Sequence, residues 1–488
     1  MSAPAKQGQV FRNTLILVGA QLLGTPLTIV LNAAMGRYLG AERLGDVYLA
    51  STLMGFGFLF VEWGQGGVLP AAVAQNRSRA GVLLGSSLAW RFWMSIIVSV
   101  LLVLGCRVFG YTASFQLILA IVGGQWLLMM LSNAIQEMVR GFERTDVSAL
   151  GKLGAQILAV LFVIPALVMG GSVVQVLLVQ VATQAAMLVW VWRARRRVGE
   201  LDVTFDWQET KALVRSGHAF LAFNFAMALQ GNVDAIFLSK LSTSEVMGWH
   251  SAAQRLSGTL NIPASALVAS LYPTLARLLV EDMDAFRETA RQALRGTTLL
   301  AVPLALCCAI YRDVGIALYG KEGYGPAGQN LLILSGLLFL VYFSMPLGTT
   351  VIAAGRQRAW AIAQASCVLV SFGLDPFLIP YFQKAYGNGG LGVCVGAVTS
   401  EVFMVTVALF LVPKGVVDHT VAKVAGKAAL SGAVMVGVAY LLHTITPFVA
   451  APIALAAYFG VLWLVGGIDP KQIEAVKSKL GSRFKRAK

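Results

Sequence analysis

The chain has 488 residues, 57% of them hydrophobic and only 12% charged, with a mean hydropathy of +0.73 and a formal net charge of +15. A soluble globular protein carries about 25% charged residues, so the composition excludes that class. The charges must be missing from long segments.

Apolar runs of about 20 residues cross a ~30 Å hydrocarbon core as helices. In chain order, fourteen are expected: 12–35, 46–74, 80–104, 115–139, 147–169, 173–192, 215–240, 246–275, 292–311, 328–352, 359–382, 389–412, 424–445 and 448–467. The first is too long for a signal peptide and has no small-residue cleavage site, so it reads as a membrane helix. Cys106, Cys307, Cys308, Cys367 and Cys394 lie in or beside these runs with neither metal-ligand nor disulfide spacing. His218, His250, His419 and His443 are scattered. No metal site is expected.

The basic excess reads as topology. Taking the loops alternately, one side holds most of the 38 Lys and Arg residues, including "RARRR" at 193–197 and the tail "KSKLGSRFKRAK". The other side holds Arg37, Arg43, Arg107, Lys240, Arg312, Lys321 and Lys384. The positive-inside rule then puts both termini in the cytoplasm with an even helix count. Nucleic acid is not an expected partner. Membrane lipid is, and the basic tail suits anionic headgroups.

The chain repeats itself. At an offset of 203 residues, Arg12 falls on Arg215, Arg37 on Lys240, Glu42 on Glu245, Gly45 on Gly248, Gly55 on Gly258 and Pro70 on Pro273. Each copy holds six spans, so both keep one membrane orientation and should be related by a pseudo-twofold along the membrane normal. The expected fold is all-α and polytopic, with two pseudo-symmetric six-helix lobes. The expected divisions are an N-terminal lobe at 1–192, a basic linker at 193–214 and a C-terminal lobe at 215–412. Two further helices at 413–467 and a basic tail at 468–488 complete the chain.

Charges at bilayer depth are costly and usually face a partner or a wet cavity. Glu62, Arg91, Asp234, Arg255, Asp375 and Glu401 lie inside spans. Each reads either as half of a structural salt bridge or as part of a polar cavity. In the cavity reading, arginine forks hold an anionic group and the acids bind a proton or cation. Arg12 and Arg215 would flank the inner mouth, while Arg37 and Lys240 end equivalent helices at the outer face. Asn32 and Asn224 fit a wet interface or helix–helix hydrogen bonds equally well. Asp234 falls on Leu31 of the first copy, so its placement is asymmetric. Walker, GxSxG, HExxH and CxxC patterns are absent from the sequence, and no catalytic residue is expected.

Four stretches resemble the Wzx-type polysaccharide flippases: "VDAIFLSKLSTSEVMGWHSAAQRL" (233–256), "LYPTLARL" (271–278), "AAGRQRAWAIAQ" (353–364) and "LIPYFQKAYGNGGLGVCVGAVTSE" (378–401). Each is a weak motif, but their order and spacing over about residues 8–412 are specific. That family lies in the multidrug/oligosaccharidyl-lipid/polysaccharide (MOP) superfamily. The resemblance implies two six-helix lobes in a V, no ATPase, and a polyprenyl-diphosphate-linked oligosaccharide as cargo. Asp234 matches the family's aspartate on the seventh helix and Glu401 its glutamate on the twelfth. Trp249 and His250 replace the usual Leu-Tyr, Ala235 and Ile236 stand where a basic residue is common, and Asp375 stands where Asn is frequent.

The expectation is therefore a non-enzymatic flippase of the bacterial cytoplasmic membrane, coupled to H+ or Na+ and working beside polysaccharide polymerase or assembly proteins. Arg91 and Arg255 would attract the diphosphate or acidic sugars; Asp234, Glu62, Glu401 and Asp375, with Asn32 and Asn224, would couple ions or contact sugar. The alternatives are a multidrug/cation antiporter of the same superfamily, a peptidoglycan-precursor flippase, and a non-transporting scaffold of a polysaccharide assembly complex.

Overall fold

The computed structural model describes residues 3–467 except 143, 321 and 322, with side chains left undescribed at some positions, chiefly 3–18 and 229–233. Its regular structure among the described residues is helical. In order the helices are α1 (Ala3–Glu62), α2 (Gln65–Gln75), α3 (Ala80–Val108), α4 (Ala113–Gly141), α5 (Thr145–Val168), α6 (Val173–Ala194), α7 (Trp207–Leu241) and α8 (Ser244–Thr259). They continue as α9 (Ile262–Glu281), α10 (Met283–Ile310), α11 (Arg312–Ala317), α12 (Ala327–Ala353), α13 (Gln357–Tyr386), α14 (Gly389–Leu411), α15 (His419–Leu441) and α16 (Pro447–Leu464).

Eleven segments among the described residues are long and apolar enough to cross a membrane. The difference from fourteen has local causes. The first of the eleven, Leu23–Gln75, holds two expected spans. They join at Gly40 (φ 80°, ψ 170°), a conformation that a residue without a Cβ adopts at little cost. The expected spans at 215–240 and 246–275 correspond to α7 and to α8 with α9, which are not among the eleven. The second is interrupted at Leu260–Asn261, and Pro263 is the second residue of α9, in the first turn, where its missing N–H costs nothing.

Two compact units interleave along the sequence. The first comprises Met1–Ala252, Leu318–Pro326 and Phe372–Val393; the second comprises Ala253–Ala317, Ala327–Ser371 and Cys394–Lys488. In the first, Leu69, Val73, Leu84, Ile135, Met138, Val191 and Leu213 form a core under α2–α4 and α6–α7. In the second, Leu275, Phe286, Leu294, Leu347, Trp360 and Met404 do the same. There α16 is tied to α10 by the Tyr458 hydroxyl, which donates to the Leu299 carbonyl at 3.0 Å. Large apolar side chains such as Phe377 and Phe410 point outward. That is the expected surface of a helix bundle solvated by lipid, where every backbone polar group is satisfied internally.

The repeat has a physical counterpart in the first unit. A Cβ on Gly45 would collide with the Ser244 carbonyl oxygen and lie 2.9 Å from Gly248 N. A Cβ on Gly248 would collide with the Ala41 carbonyl oxygen. Ala41 and Ser244 are themselves repeat equivalents, so the contact is reciprocal: each copy offers one site to the other. That is the signature of a local twofold axis between the two glycines.

Candidate functional site

Within the first unit, α7 and α13 run side by side and bring Asp234 and Asp375 together. The two carboxyls lie in hydrogen-bond contact. Asp375 is fully buried. Both of its oxygens, and Oδ1 of Asp234, find no donor among the described residues. Phe237 and Phe372 meet edge-on 5.0 Å apart beside the pair. Eight residues further along, at the C-cap of α7 and on α13, the Ser242 hydroxyl donates to Gln383 Oε1 at 2.6 Å. Equal steps along both helices fix them as parallel. Pro376 and Pro380 follow on α13, and each removes one i→i−4 backbone bond. With Asp375 fully buried and Asp234 half-buried beside it, a second negative charge is costly unless a proton is shared or a cation sits between them. The arrangement can therefore hold one small positive ion or one proton.

A second cluster lies between α3, α4 and the start of α2. Arg91 is wholly buried and grips Glu137, with Nη2 to Oε2 at 2.5 Å and Nη1 to Oε1 at 3.4 Å. Its Nη1 also donates to the Met130 carbonyl at 3.2 Å and its Nε to Gln65 Oε1 at 3.4 Å. Ser87 donates to the same Gln65 oxygen at 2.6 Å, and Arg140 stands 3.8 Å from Glu137. Glu62 reaches the same place. A methyl on Gly66 would collide with Glu62 Oε1 and sit 3.4 Å from Glu137 Oε1. This arrangement of Arg91 is the salt-bridge reading rather than a free guanidinium. Glu137 and Gln65 were not singled out in the sequence. The signal was available: Glu137 is the one acid of its span, and a buried arginine needs an acid.

The remaining candidates are dispersed. In the second unit, Ser344 donates to Glu401 Oε1, and Arg255 is half-buried on α8. In the first unit, Lys240 donates to the Phe109 carbonyl at 3.0 Å and lies 3.6 Å over the Tyr111 ring. Arg37 and Arg215 are exposed. Close to Arg215, the Trp63 indole donates to the Val214 carbonyl at 3.1 Å and pins the start of α7. Asn32 is buried and donates to the Thr28 carbonyl at 2.8 Å, within its own helix. Asn224 is half-buried on α7. The side chain of Arg12 lies outside the described residues. Among the described residues no group of three or more His, Cys, Asp or Glu could hold a metal ion.

A family model described as polysaccharide biosynthesis protein matches residues 10–279, more than half of the chain. Among solved structures, the chain is similar to the lipid II flippase MurJ in its inward closed conformation, with TM-score 0.72 and 12% identity over 92% of this chain and 98% of that one. It is also similar to an inward-facing multidrug resistance MATE family transporter of the MOP superfamily, with TM-score 0.61 and 13% identity over 79% and 94%. A third likeness is to a MOP superfamily transporter from Pyrococcus furiosus, for which a binding pocket of reverse polarity is described (TM-score 0.58, 13% identity, 82% and 94% covered). At these identities the likeness is one of fold. No curated protein matches by sequence.

Proposed function

Because the chain belongs to the family of polysaccharide biosynthesis proteins and has the fold of MOP transporters, we propose that it is a lipid-linked oligosaccharide flippase. It turns a saccharide unit on polyprenyl diphosphate from the inner to the outer leaflet of the bacterial cytoplasmic membrane. Both termini are cytoplasmic, the lobes run over 1–192 and 215–412, and the substrate crosses by alternating access. Polysaccharide polymerase or assembly proteins then take up the product.

The observation that carries ion coupling is the Asp234–Asp375 pair, two acids in contact with one charge too many. A proton or Na+ entering between them draws α7 to α13; its loss lets them part. Coupling of this kind needs no nucleotide. The arginines of the second cluster serve the architecture, Arg255 remains the candidate for the diphosphate, and Arg215 flanks the inner mouth.

Lipid extracts of cells lacking the protein, analysed by mass spectrometry, test the proposal. A complete polyprenyl-diphosphate saccharide should accumulate, fall with the wild-type chain, and persist with Asp375→Asn. The likeness to a lipid II flippase supports a second reading, in which the accumulating species is the peptidoglycan precursor. Unchanged lipids with new sensitivity to cationic drugs would replace both readings by an exporter. Unchanged lipids and normal drug tolerance would leave a scaffold.

A further inference from the structure

The outer face of α3 in the first unit is flanked by two apolar grooves. One, of about 650 Å³, lies against α4 and α6 and is lined by Leu88, Phe92, Leu131, Ile135 and Trp192, with Arg193 at its end. The other, of about 350 Å³, lies against the segment entering α7 and is lined by Trp90, Trp93, Met94, Phe205 and Trp207. Both fall within the ~300–1,000 Å³ of built ligand sites. Ala89 lines both. Its small side chain leaves a saddle between Phe92 and Trp93, whose rings meet edge-on at 5.3 Å and both project outward.

Each groove ends in an aromatic ring that carries a cation. Arg195 stacks on Trp192 at 3.9 Å, and its Nε has no acceptor among the described residues. Lys211 lies 5.6 Å over Trp207. Arg196 and Arg197 continue the basic edge and are exposed. Of the neighbouring acids, Asp206 caps α7, accepting from Gln208 N at 2.7 Å and Glu209 N at 3.4 Å, and Glu209 pairs with Arg79; the exposed Glu200 and Asp202 offset only part of the charge of Arg193, Arg195, Arg196, Arg197 and Lys211. The rim therefore presents positive charge above two slots of hydrocarbon character. Amphipathic Trp rings with adjacent Arg and Lys are what the headgroup level of a bilayer selects.

We propose that these grooves form a site for one anionic glycerophospholipid of the surrounding bilayer. One acyl chain lies in each slot, the glycerol crosses at Ala89, and the phosphate sits between Arg193, Arg195 and Lys211. The charge of the rim selects an anionic headgroup over a zwitterionic one, and two slots joined at one saddle select two chains over one. The site lies on the lipid-facing side of α3 and stands independently of the flippase reading. It would make the first unit a bilayer-composition-sensitive body, since occupancy ties α3 to α6 and to the start of α7.

Native mass spectrometry of the purified full-length chain, delipidated in detergent and titrated with dioleoyl phosphatidylglycerol or dioleoyl phosphatidylcholine, reads occupancy directly. The wild type should hold the first phosphatidylglycerol at least about tenfold more tightly, the scale of one lost charge-assisted hydrogen bond. Arg193→Ala with Arg195→Ala should abolish the preference, and Ala89→Phe, which fills an outward-facing saddle, should weaken both lipids. Equal affinity for the two headgroups in the wild type would overturn the proposal. So would an Ala89→Phe chain that binds normally, because the lipid would then be held at the basic edge alone. Displacement of phosphatidylglycerol by an equal amount of polyprenyl phosphate would also overturn it, assigning the grooves to a one-chain carrier lipid.

Discussion

The pairing of Arg91 with Glu137 makes a quantitative prediction about stability. Both side chains are withdrawn from solvent, 0% and 5% exposed, and the contact is bidentate. Arg91→Ala strips Glu137 of its fork and leaves Arg140, at 3.8 Å and partly exposed, as its nearest cation. Breaking a buried pair on one side costs about 3–5 kcal/mol, because an uncompensated charge stays behind. Glu137→Ala should cost a similar amount, since Arg91 would keep hydrogen bonds only to the Gln65 oxygen and the Met130 carbonyl, with Glu62 nearby but outside that set. Replacing both, Arg91→Met with Glu137→Met, removes both charges and should recover much of the loss. The cycle is measured by thermal melting of detergent-purified chains, with the amount of each variant in the membrane as a second readout. The expected pattern is two unstable singles and a more stable double. An Arg91→Ala chain that accumulates and melts normally yet moves no lipid would refute the reasoning and return Arg91 to a substrate cavity.

Other outcomes follow from the same geometry. Wild-type chain should melt higher in NaCl than in choline chloride at equal ionic strength, or higher on one side of a pH step if the ion is a proton. A ligand at 100 times its Kd adds about 2.7 kcal/mol. Asp234→Asn and Asp375→Asn should each remove that response, and a response that survives both places coupling elsewhere. Gly45→Val and Gly248→Val should each lower stability by about 1–3 kcal/mol through overpacking and slow transport; unchanged melting would mean that the helices can part freely. Asp418, the N-cap of α15, accepts from the Thr420 hydroxyl at 2.5 Å and from Thr420 N and Val421 N at 2.9 and 3.2 Å. The Thr420 hydroxyl, with those N–H groups and Arg291, holds its carboxyl below the ordinary value of 3.8. A depressed folded value means the contribution is complete above that ordinary value and fades as pH falls through the lower one. Asp418→Ala should therefore cost about 1 kcal/mol at neutral pH, with a gap to wild type that narrows in acid. A constant gap would remove the ionic part of the argument.

What the sequence makes legible here is whatever has a one-dimensional pattern. Apolar run length marks the membrane helices because the bilayer sets a fixed span. The offset of 203 residues marks Gly45 and Gly248 as equivalents because charged residues and prolines are too scarce to coincide often. That the two equivalents touch is not written in either copy; it is a property of the pair. The same holds for the acids. Asp234 and Asp375 each stand out as intramembrane charges, but 141 positions separate them in the numbering, and only the packing of α7 on α13 joins them. Glu137 was hidden for another reason: it lies four residues before the end of α4, next to Arg140, where an acid reads as an interfacial residue. The interruption between α8 and α9 was half-visible, since Pro263 signals a bend without saying that the helix stops before it.

The reciprocal glycine contact also sets a schedule for biosynthesis. The carbonyl of Ala41 and the bare Cα of Gly45 leave the ribosome long before Gly248 and Ser244 exist. At 5–20 residues per second, the 203 intervening residues take roughly 10–40 s to synthesise. For that interval the smooth, sticky notch on α1 has no mate of its own chain. The insertion machinery, or α3 to α5 in a provisional arrangement, must shield it until the second copy arrives. A fold built from two copies that clasp each other cannot make this close contact until half of the chain has been synthesised.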